Sequence, residues 1–202
     1  MTFEEIRIVC VVYISALFPV FLLLYLKNKN SLPKWIPSVY IMAFFVCAIG
    51  WELWFTYGWI DGDSVDLRRS ANLNIMIPKH INWLMNSMGD AGTVCLGGLW
   101  LIWVASGKNK SIFHLWNWPA FFILLIWCLS QNIFVEMFLY YDQLSADKRI
   151  SWAPLSPIVQ YFNPILYVSG EREISLQTQI PWLLMTPILY ASTIQLIKRH
   201  KQ

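Results

Sequence analysis

Five long apolar stretches constrain the fold of this chain more than any other feature of its sequence. They run over residues 6–26, 38–60, 81–105, 118–141 and 180–197. Each is long enough to cross the hydrocarbon core of a bilayer, about 30 Å thick, as an α-helix. Because no water reaches the backbone in that core, open strands are excluded there. The sequence therefore predicts an all-α integral membrane bundle of five transmembrane helices, forming a single domain over residues 1–202.

Composition and loop charge agree with a membrane protein and give it an orientation. Hydrophobic residues make up 57% of the chain and charged residues only 13%, which is typical of membrane proteins. Basic residues, which favour the cytoplasmic side, follow the first, third and fifth stretches. They are Lys27, Lys29, Lys34, Lys108, Lys110, Lys198, Arg199 and Lys201. The pattern predicts an N terminus outside and a cytoplasmic C terminus, in the endoplasmic reticulum of a eukaryote or the inner membrane of a bacterium.

The chain ends and net charge indicate few partners besides lipid. The first stretch lacks the basic start and small-residue cleavage site of a signal peptide, so we interpret it as a retained helix. The net charge of +3 is explained by the cytoplasmic ends and indicates no nucleic-acid partner. The sequence does not fix an oligomeric state, and a homodimer stays an open alternative.

The connection over residues 142–179 is long for a compact bundle. Its middle, residues 152–167, is apolar but contains three prolines, which disfavour an ordinary spanning helix. We interpret this connection as an extracytoplasmic cap that lies at the interface and covers a ligand entrance. The alternative is an aromatic interfacial loop that only packs on the bundle.

Metal and cofactor chemistry is not indicated by the sequence. His80, His114 and His200 lie in loops or at the ends of the stretches, so no intramembrane histidine pair is expected for haem or a di-iron centre. The four cysteines show no close spacing, and neither a glycine-rich phosphate loop nor a nucleophile elbow occurs. We therefore expect neither a metal nor a cofactor.

Glu52 and Asp90 are acids in the interior of the second and third stretches. At about 1.5 Å per residue, their distances from the stretch ends place both roughly 12–14 Å below the outer surface. An ionisable group inside a bilayer costs a few kcal/mol and by default marks a functional site. We therefore predict that Glu52 and Asp90 are the catalytic residues.

Other polar side chains are expected in the same layer. Asn86, Asp90 and Thr93 recur at helical spacing, which predicts that they share one face of the third helix. Hydrogen bonding between helices is the structural alternative for such groups. The remaining members are Gln131, Asn132 and Glu136 on the fourth helix and Gln179 at the start of the fifth.

Aromatic side chains near the two acids suggest a chemistry. A carboxylic acid buried in this layer can donate a proton, and electron-rich ring faces stabilise a transient carbocation. The combination fits protonation of a carbon–carbon double bond in an apolar lipid, followed by proton removal. The aromatic residues expected to line the substrate site are Trp51, Trp54, Tyr57 and Trp182.

Residues 88–103 in the third stretch contain an acid, Asp90, then Thr93, then Cys95-Leu96-Gly97-Gly98. This run resembles the corresponding helix of the EXPERA superfamily, in which an acid and a threonine three residues later precede a similar Cys-Leu-x-Gly run. The superfamily includes the emopamil-binding proteins, which are sterol double-bond isomerases. The resemblance implies a five-helix architecture and a sterol-like or isoprenoid ligand. Ala48 stands where those isomerases carry a histidine one turn before their glutamate.

The pair Trp51-Glu52 is similar to a Trp-Glu signature in the integral-membrane terpene cyclases of meroterpenoid pathways. These enzymes also begin by acid protonation. We therefore expect an isomerase or cyclase that acts on a sterol-like or isoprenoid lipid, with no order assigned to the two acids. A non-catalytic lipid-binding or lipid-transfer protein, a class that the EXPERA superfamily also contains, is the alternative.

Overall fold

The computed structural model of the protein describes residues 1–58, 63–145 and 162–199, and these residues are mostly helical. The α-helices are α1 (Phe3–Asn28), α2 (Trp35–Gly50), α3 (Glu52–Tyr57), α4 (Val65–Arg68), α5 (Ala71–Met76), α6 (Lys79–Gly89), α7 (Gly97–Ala105), α8 (Trp118–Val135) and α9 (Leu176–Arg199). Two π-helical segments, Asp90–Leu96 and Glu136–Tyr140, and a 3-10 helix, Lys110–Phe113, complete the helical part.

Four helices in the described part of the chain are long and apolar enough to cross a membrane. They are α1, the third long helix Lys79–Ala105, the fourth long helix Trp118–Tyr140, and α9, while α2 is a shorter apolar helix. The third long helix joins α6, a π-helical segment and α7, and the fourth joins α8 to the other π-helical segment. The prediction of a helical protein with long apolar helices is confirmed, with ends within a few residues of those expected.

Each π-helical segment begins at an acidic residue. Asp90 opens the first and Glu136 opens the second. A π-helical turn bonds residue i to i+5 and takes in one more residue than an α-helical turn, and such segments occur frequently at functional sites. Both acids therefore lie where the regular backbone ladder of a long helix changes.

The second apolar stretch is not one helix, as the sequence predicted, but two. α2 ends at Gly50, Trp51 forms a turn, and α3 begins at Glu52. The carbonyl of Ala48, which would bond the N–H of Glu52 in a continuous helix, accepts the indole N–H of Trp83 at 2.8 Å. Gly58 ends α3 with a φ of 63°, a left-handed conformation that glycine adopts at little cost.

The polar connections near the N-terminal end of α1 fold into short elements. The strands β1 (Ile165–Ser169) and β2 (Arg172–Ser175) pair antiparallel, and Gly170 turns between them with a φ of 62°. The prediction of an all-α class is thus wrong at this hairpin, because the apolar run contains β-branched and aromatic residues next to a glycine turn. Residues 146–161 of the predicted cap lie outside the described residues, and α9 begins at Leu176, inside the expected range of the cap.

The main core lies between α2, the third and fourth long helices and α9, and it includes Cys47, Cys95, Leu124 and Leu189. A second cluster packs α1 and α5 through Ile8, Leu73, Ile77 and Leu139. Many large apolar side chains instead point outward; Phe18, Ile126 and Leu184 are each at least 59% exposed. Such a surface is suited to lipid rather than to water.

Candidate functional site

Glu52 begins α3, and its side chain points into the bundle with only 2% exposure. The side chains of Asn86 and Thr56 lie beside its carboxyl group, and the charges of Asp90 and Arg68 are close enough to interact with it. Among the described residues, no hydrogen-bond partner is found for Glu52 Oε2. The structure therefore places the two predicted catalytic acids within electrostatic range of each other, with one oxygen of Glu52 left for a proton or a ligand.

Trp51 connects the break in the second stretch to the second acid. Its indole Nε1 donates a 2.7 Å hydrogen bond to Asp90 Oδ2. Its ring packs on that of Trp182 in α9, with 5.0 Å between the ring centroids. The turn at Trp51 therefore directs this side chain across the bundle, where its polar edge meets the acid and its face meets a second tryptophan.

An apolar groove of about 200 Å³ reaches Trp51, and Trp182 is not among its lining residues. Trp51 and Trp54 line one side, and Pro181 and Met185 of α9 line the other. The rim residue Leu184 is 59% exposed, so the groove opens on the apolar outer surface. A hydrocarbon chain could enter sideways between α2 and α9 and reach Trp51 next to Asp90.

A second polar cluster joins the fourth long helix to the start of α9. Glu136 Oε2 accepts hydrogen bonds from Thr178 Oγ1 at 2.7 Å and from Gln179 Nε2 at 2.8 Å. Asn132 Nδ2 donates to Gln179 Oε1 at 2.8 Å and to the carbonyl of Thr178 at 3.0 Å. All four side chains are buried. Asn132, Glu136 and Gln179 thus form one network.

Tyr140 lies between the two polar groups. Its phenol is in electrostatic range of the carboxyl groups of Glu52, Asp90 and Glu136, and its ring packs on Phe55 with 4.5 Å between centroids. It belongs to the π-helical segment that Glu136 begins. The phenol of Tyr140 therefore interacts electrostatically with all three acids.

Two buried arginines lie at one end of the site, beside α3. Arg68 donates to the carbonyl of Phe55 and lies over its ring. Arg69 donates to Asn82 Oδ1 at 2.9 Å, and Asn82 Nδ2 donates to Thr56 Oγ1 at 3.3 Å. Both arginines are therefore attached to α3, the short helix that carries Glu52.

Three predicted site residues lie elsewhere. Thr93 is exposed and donates to the carbonyl of Ser15 in α1 at 2.7 Å. The extra residue in a π-helical turn means that a spacing of three no longer returns to the face of Asp90, so the predicted common face is wrong for Thr93. Tyr57 bonds His80 at 2.8 Å at the end of α3, and Gln131 donates to the carbonyl of Cys128 in its own helix at 2.8 Å.

Several residues of the site were not predicted from the sequence. Thr56 and Asn82 could have been predicted from the sequence, because a polar side chain that faces a buried acid is expected to bond it. Thr56 lies on the same short helix as Glu52. Nothing in the sequence indicated that Arg68 and Arg69 are buried, because two arginines in a polar connection normally face water. The other unpredicted members are Tyr140 and Thr178.

The described residues contain no group of three or more histidine, cysteine, aspartate or glutamate side chains arranged to hold a metal ion. Comparisons with protein-family models, curated proteins and solved structures gave no match.

Proposed function

We propose that this protein is a membrane-embedded isomerase or cyclase that acts on an isoprenoid or sterol-like lipid. The observation that carries the proposal is the groove that leads from the apolar surface to Trp51, whose indole bonds Asp90 beside the buried Glu52. A pair of carboxyl groups can supply both the acid and the base that a double-bond shift needs. The resemblance to the EXPERA superfamily is part of this proposal.

In the proposed reaction, one carboxylic acid gives its proton to a carbon of the double bond, which leaves a carbocation on the other carbon. The second carboxylate then removes a proton from a neighbouring carbon, and the electrons of that C–H bond form the new double bond. The net change is a shifted double bond and a proton moved from one carboxyl group to the other. In a cyclase, another double bond of the same lipid would attack the cation before the proton leaves.

We infer that Glu52 is the donor and Asp90 the acceptor. An indole N–H can only donate, so Asp90 Oδ2 is already an acceptor in the resting site. Glu52 Oε2, which lacks a partner among the described residues, is available to carry the proton. The ring of Trp51, which lines the groove and packs on Trp182, would stabilise the cation.

We propose that α2 and α3 together make a fifth crossing, with the N terminus outside and the C terminus in the cytoplasm. The contacts support alternating crossings. Ser70 donates to Glu5 and Arg7 donates to Asp142, so the connections after the second and fourth stretches both lie at the start of α1. At the opposite end, Tyr190 of α9 bonds the carbonyl of Ile112. In a cysteine-free background, a cysteine at Asn72 should react with an impermeant reagent from outside, and one at Lys29 should not.

The reaction is tested with deuterated water. The protein is purified with its bound lipid, incubated in deuterated buffer, and the lipid is examined by mass spectrometry. We expect deuterium at carbon in lipid from the wild-type protein. Glu52→Gln and Asp90→Asn should abolish the labelling while lipid still copurifies, and Glu171→Gln, at an exposed acid of the hairpin, should leave it unchanged.

Full labelling in both acid variants would remove the catalytic assignment. Lipid that is bound but never labelled by the wild-type protein would favour a lipid-binding or lipid-transfer protein instead.

A further inference from the structure

Arg68 is a buried cation whose compensating charge is not evident from its direct contacts. It is only 3% exposed, and no ion pair joins it to a carboxylate among the described residues. One nitrogen donates to the carbonyl of Phe55, the guanidinium lies 4.8 Å from the Phe55 ring centroid, and Nε is without a described partner. A buried charge is costly unless another charge compensates it.

The charges that face Arg68 come from several elements. Glu52, Asp63, Asp66 and the phenol of Tyr140 are in electrostatic range, and the neighbouring Arg69 adds a like charge. Asp66 is already paired with Lys79, at 3.0 Å, and Asp63 is exposed. Among the acids in this set, Glu52 is the buried one.

Arg68 carries its charge under ordinary conditions. Burial lowers the pKa of its guanidinium to about 10, which leaves it protonated at neutral pH. A permanent positive charge therefore lies beside α3. It contacts the carbonyl of Phe55, which is about one helical turn after Glu52.

The acid pair offers a matching negative charge. Two neighbouring carboxyl groups in a buried site do not both ionise readily, and they titrate as a pair. A Glu52–Asp90 pair that holds one proton carries a single negative charge. The net charge of these three side chains, Glu52, Asp90 and Arg68, is then zero.

We propose that Arg68 is the buried counter-ion of the Glu52–Asp90 pair and keeps that pair at one proton. Arg68 is a positioning residue, because it acts through the acids and has no described contact with the groove. The use of the pair as donor and acceptor rests on the proposed function. The charge balance itself does not, since it is a property of the protein without substrate.

Infrared spectroscopy of the full-length protein in detergent at neutral pH tests this proposal. The carbonyl stretch of a protonated carboxylic acid is distinct from the stretches of a carboxylate and shifts in deuterated water. In Arg68→Gln we expect a larger protonated-acid band than in the wild type, because the pair takes up a second proton. Arg68→Lys should restore the wild-type intensity.

Matched variants separate this effect from a general disturbance. Arg69→Gln removes an equally buried neighbour whose donors go to Asn74, Asn82 and the carbonyl of Ile77, so the band should stay unchanged. In Glu52→Gln/Asp90→Asn protein, adding Arg68→Gln should add no intensity. If Arg68→Gln does not fold, Arg68→Met, which keeps an apolar stem against Phe55, takes its place.

An unchanged band in folded Arg68→Gln or Arg68→Met protein would overturn the proposal. The same increase in protein that lacks both acids would overturn it as well. Failure of the deuterium experiment with a positive infrared result would reject the catalytic function and leave the counter-ion in place.

Discussion

The indole Nε1 of Trp51 donates a 2.7 Å hydrogen bond to Oδ2 of Asp90, and this bond joins the break in the second apolar stretch to the π-helical segment of the third long helix. Each partner lies where a helix departs from regular geometry. The same tryptophan lines the groove. Access from the apolar surface and the position of the acid therefore depend on one side chain.

Trp51→Phe should keep an aromatic face in the groove and lose the bond to Asp90. A hydrogen bond to a charged group contributes about 1.5–3 kcal/mol, and each ~1.4 kcal/mol of barrier changes a rate about tenfold. We expect deuterium incorporation into the copurified lipid to slow by about tenfold to a hundredfold. Trp100→Phe, at a tryptophan that is 62% exposed, is the control, and equal rates in the two variants would contradict a role for the bond.

Gly92→Ala should destabilise the contact between α1 and the third long helix. A Cβ at Gly92 would lie 2.5 Å from Cβ of Pro19, and the rigid proline ring cannot turn aside. Overpacking of this kind typically costs about 1–3 kcal/mol, which thermal unfolding in detergent should detect.

Gly50→Ala is the matched control for this substitution, because a Cβ there would meet nothing within 4 Å. Alanine in a helix is favoured over glycine by about 0.5–1 kcal/mol, so this variant should be neutral or slightly more stable. A Gly92→Ala protein as stable as Gly50→Ala would show that α1 can move away freely.

Gln179→Leu should weaken the attachment of α9 to the fourth long helix. It removes the acceptor of Asn132 and one donor to Glu136, and unpaired buried polar groups cost about 1–3 kcal/mol each. Gln131→Leu makes the same change at a glutamine that bonds only within its own helix, and it should have little effect. Unfolding temperatures of the two variants give the comparison, and a larger loss at Gln131 would reverse our view of the cluster.

The long helices could be predicted from the sequence because hydropathy over about 20 residues is a strong signal. Phe3–Asn28 and Lys79–Ala105 differ by only a few residues from the expected stretches. The hairpin was missed because its strands follow an apolar run with three prolines. Pairing of β1 with β2 depends on the turn at Gly170. A single glycine is a much weaker sequence signal than an apolar stretch of about 20 residues.

The site was harder to predict from the sequence than the helices were. Depth along a helix depends only on residue number, so Glu52 and Asp90 could be placed at similar levels. Direction around a helix requires a constant period, and that assumption failed at Asp90–Leu96, where Thr93 turns to Ser15. Arg68 was missed because burial of a loop arginine arises from tertiary packing and has no local pattern.

The π-helical segment Asp90–Leu96 rotates the two halves of the third long helix, α6 and α7, relative to each other around the helix axis. One additional residue corresponds to about 100° of rotation in an α-helix, so α6 and α7 present faces that a single regular helix could not present together. Shortening the segment by one residue would therefore leave Asp90 in place and turn the helix that follows it out of phase with its neighbours. The length of this segment, more than the identity of its residues, sets the alignment of Asp90 with the core residues of α7, such as Leu99 and Ile102.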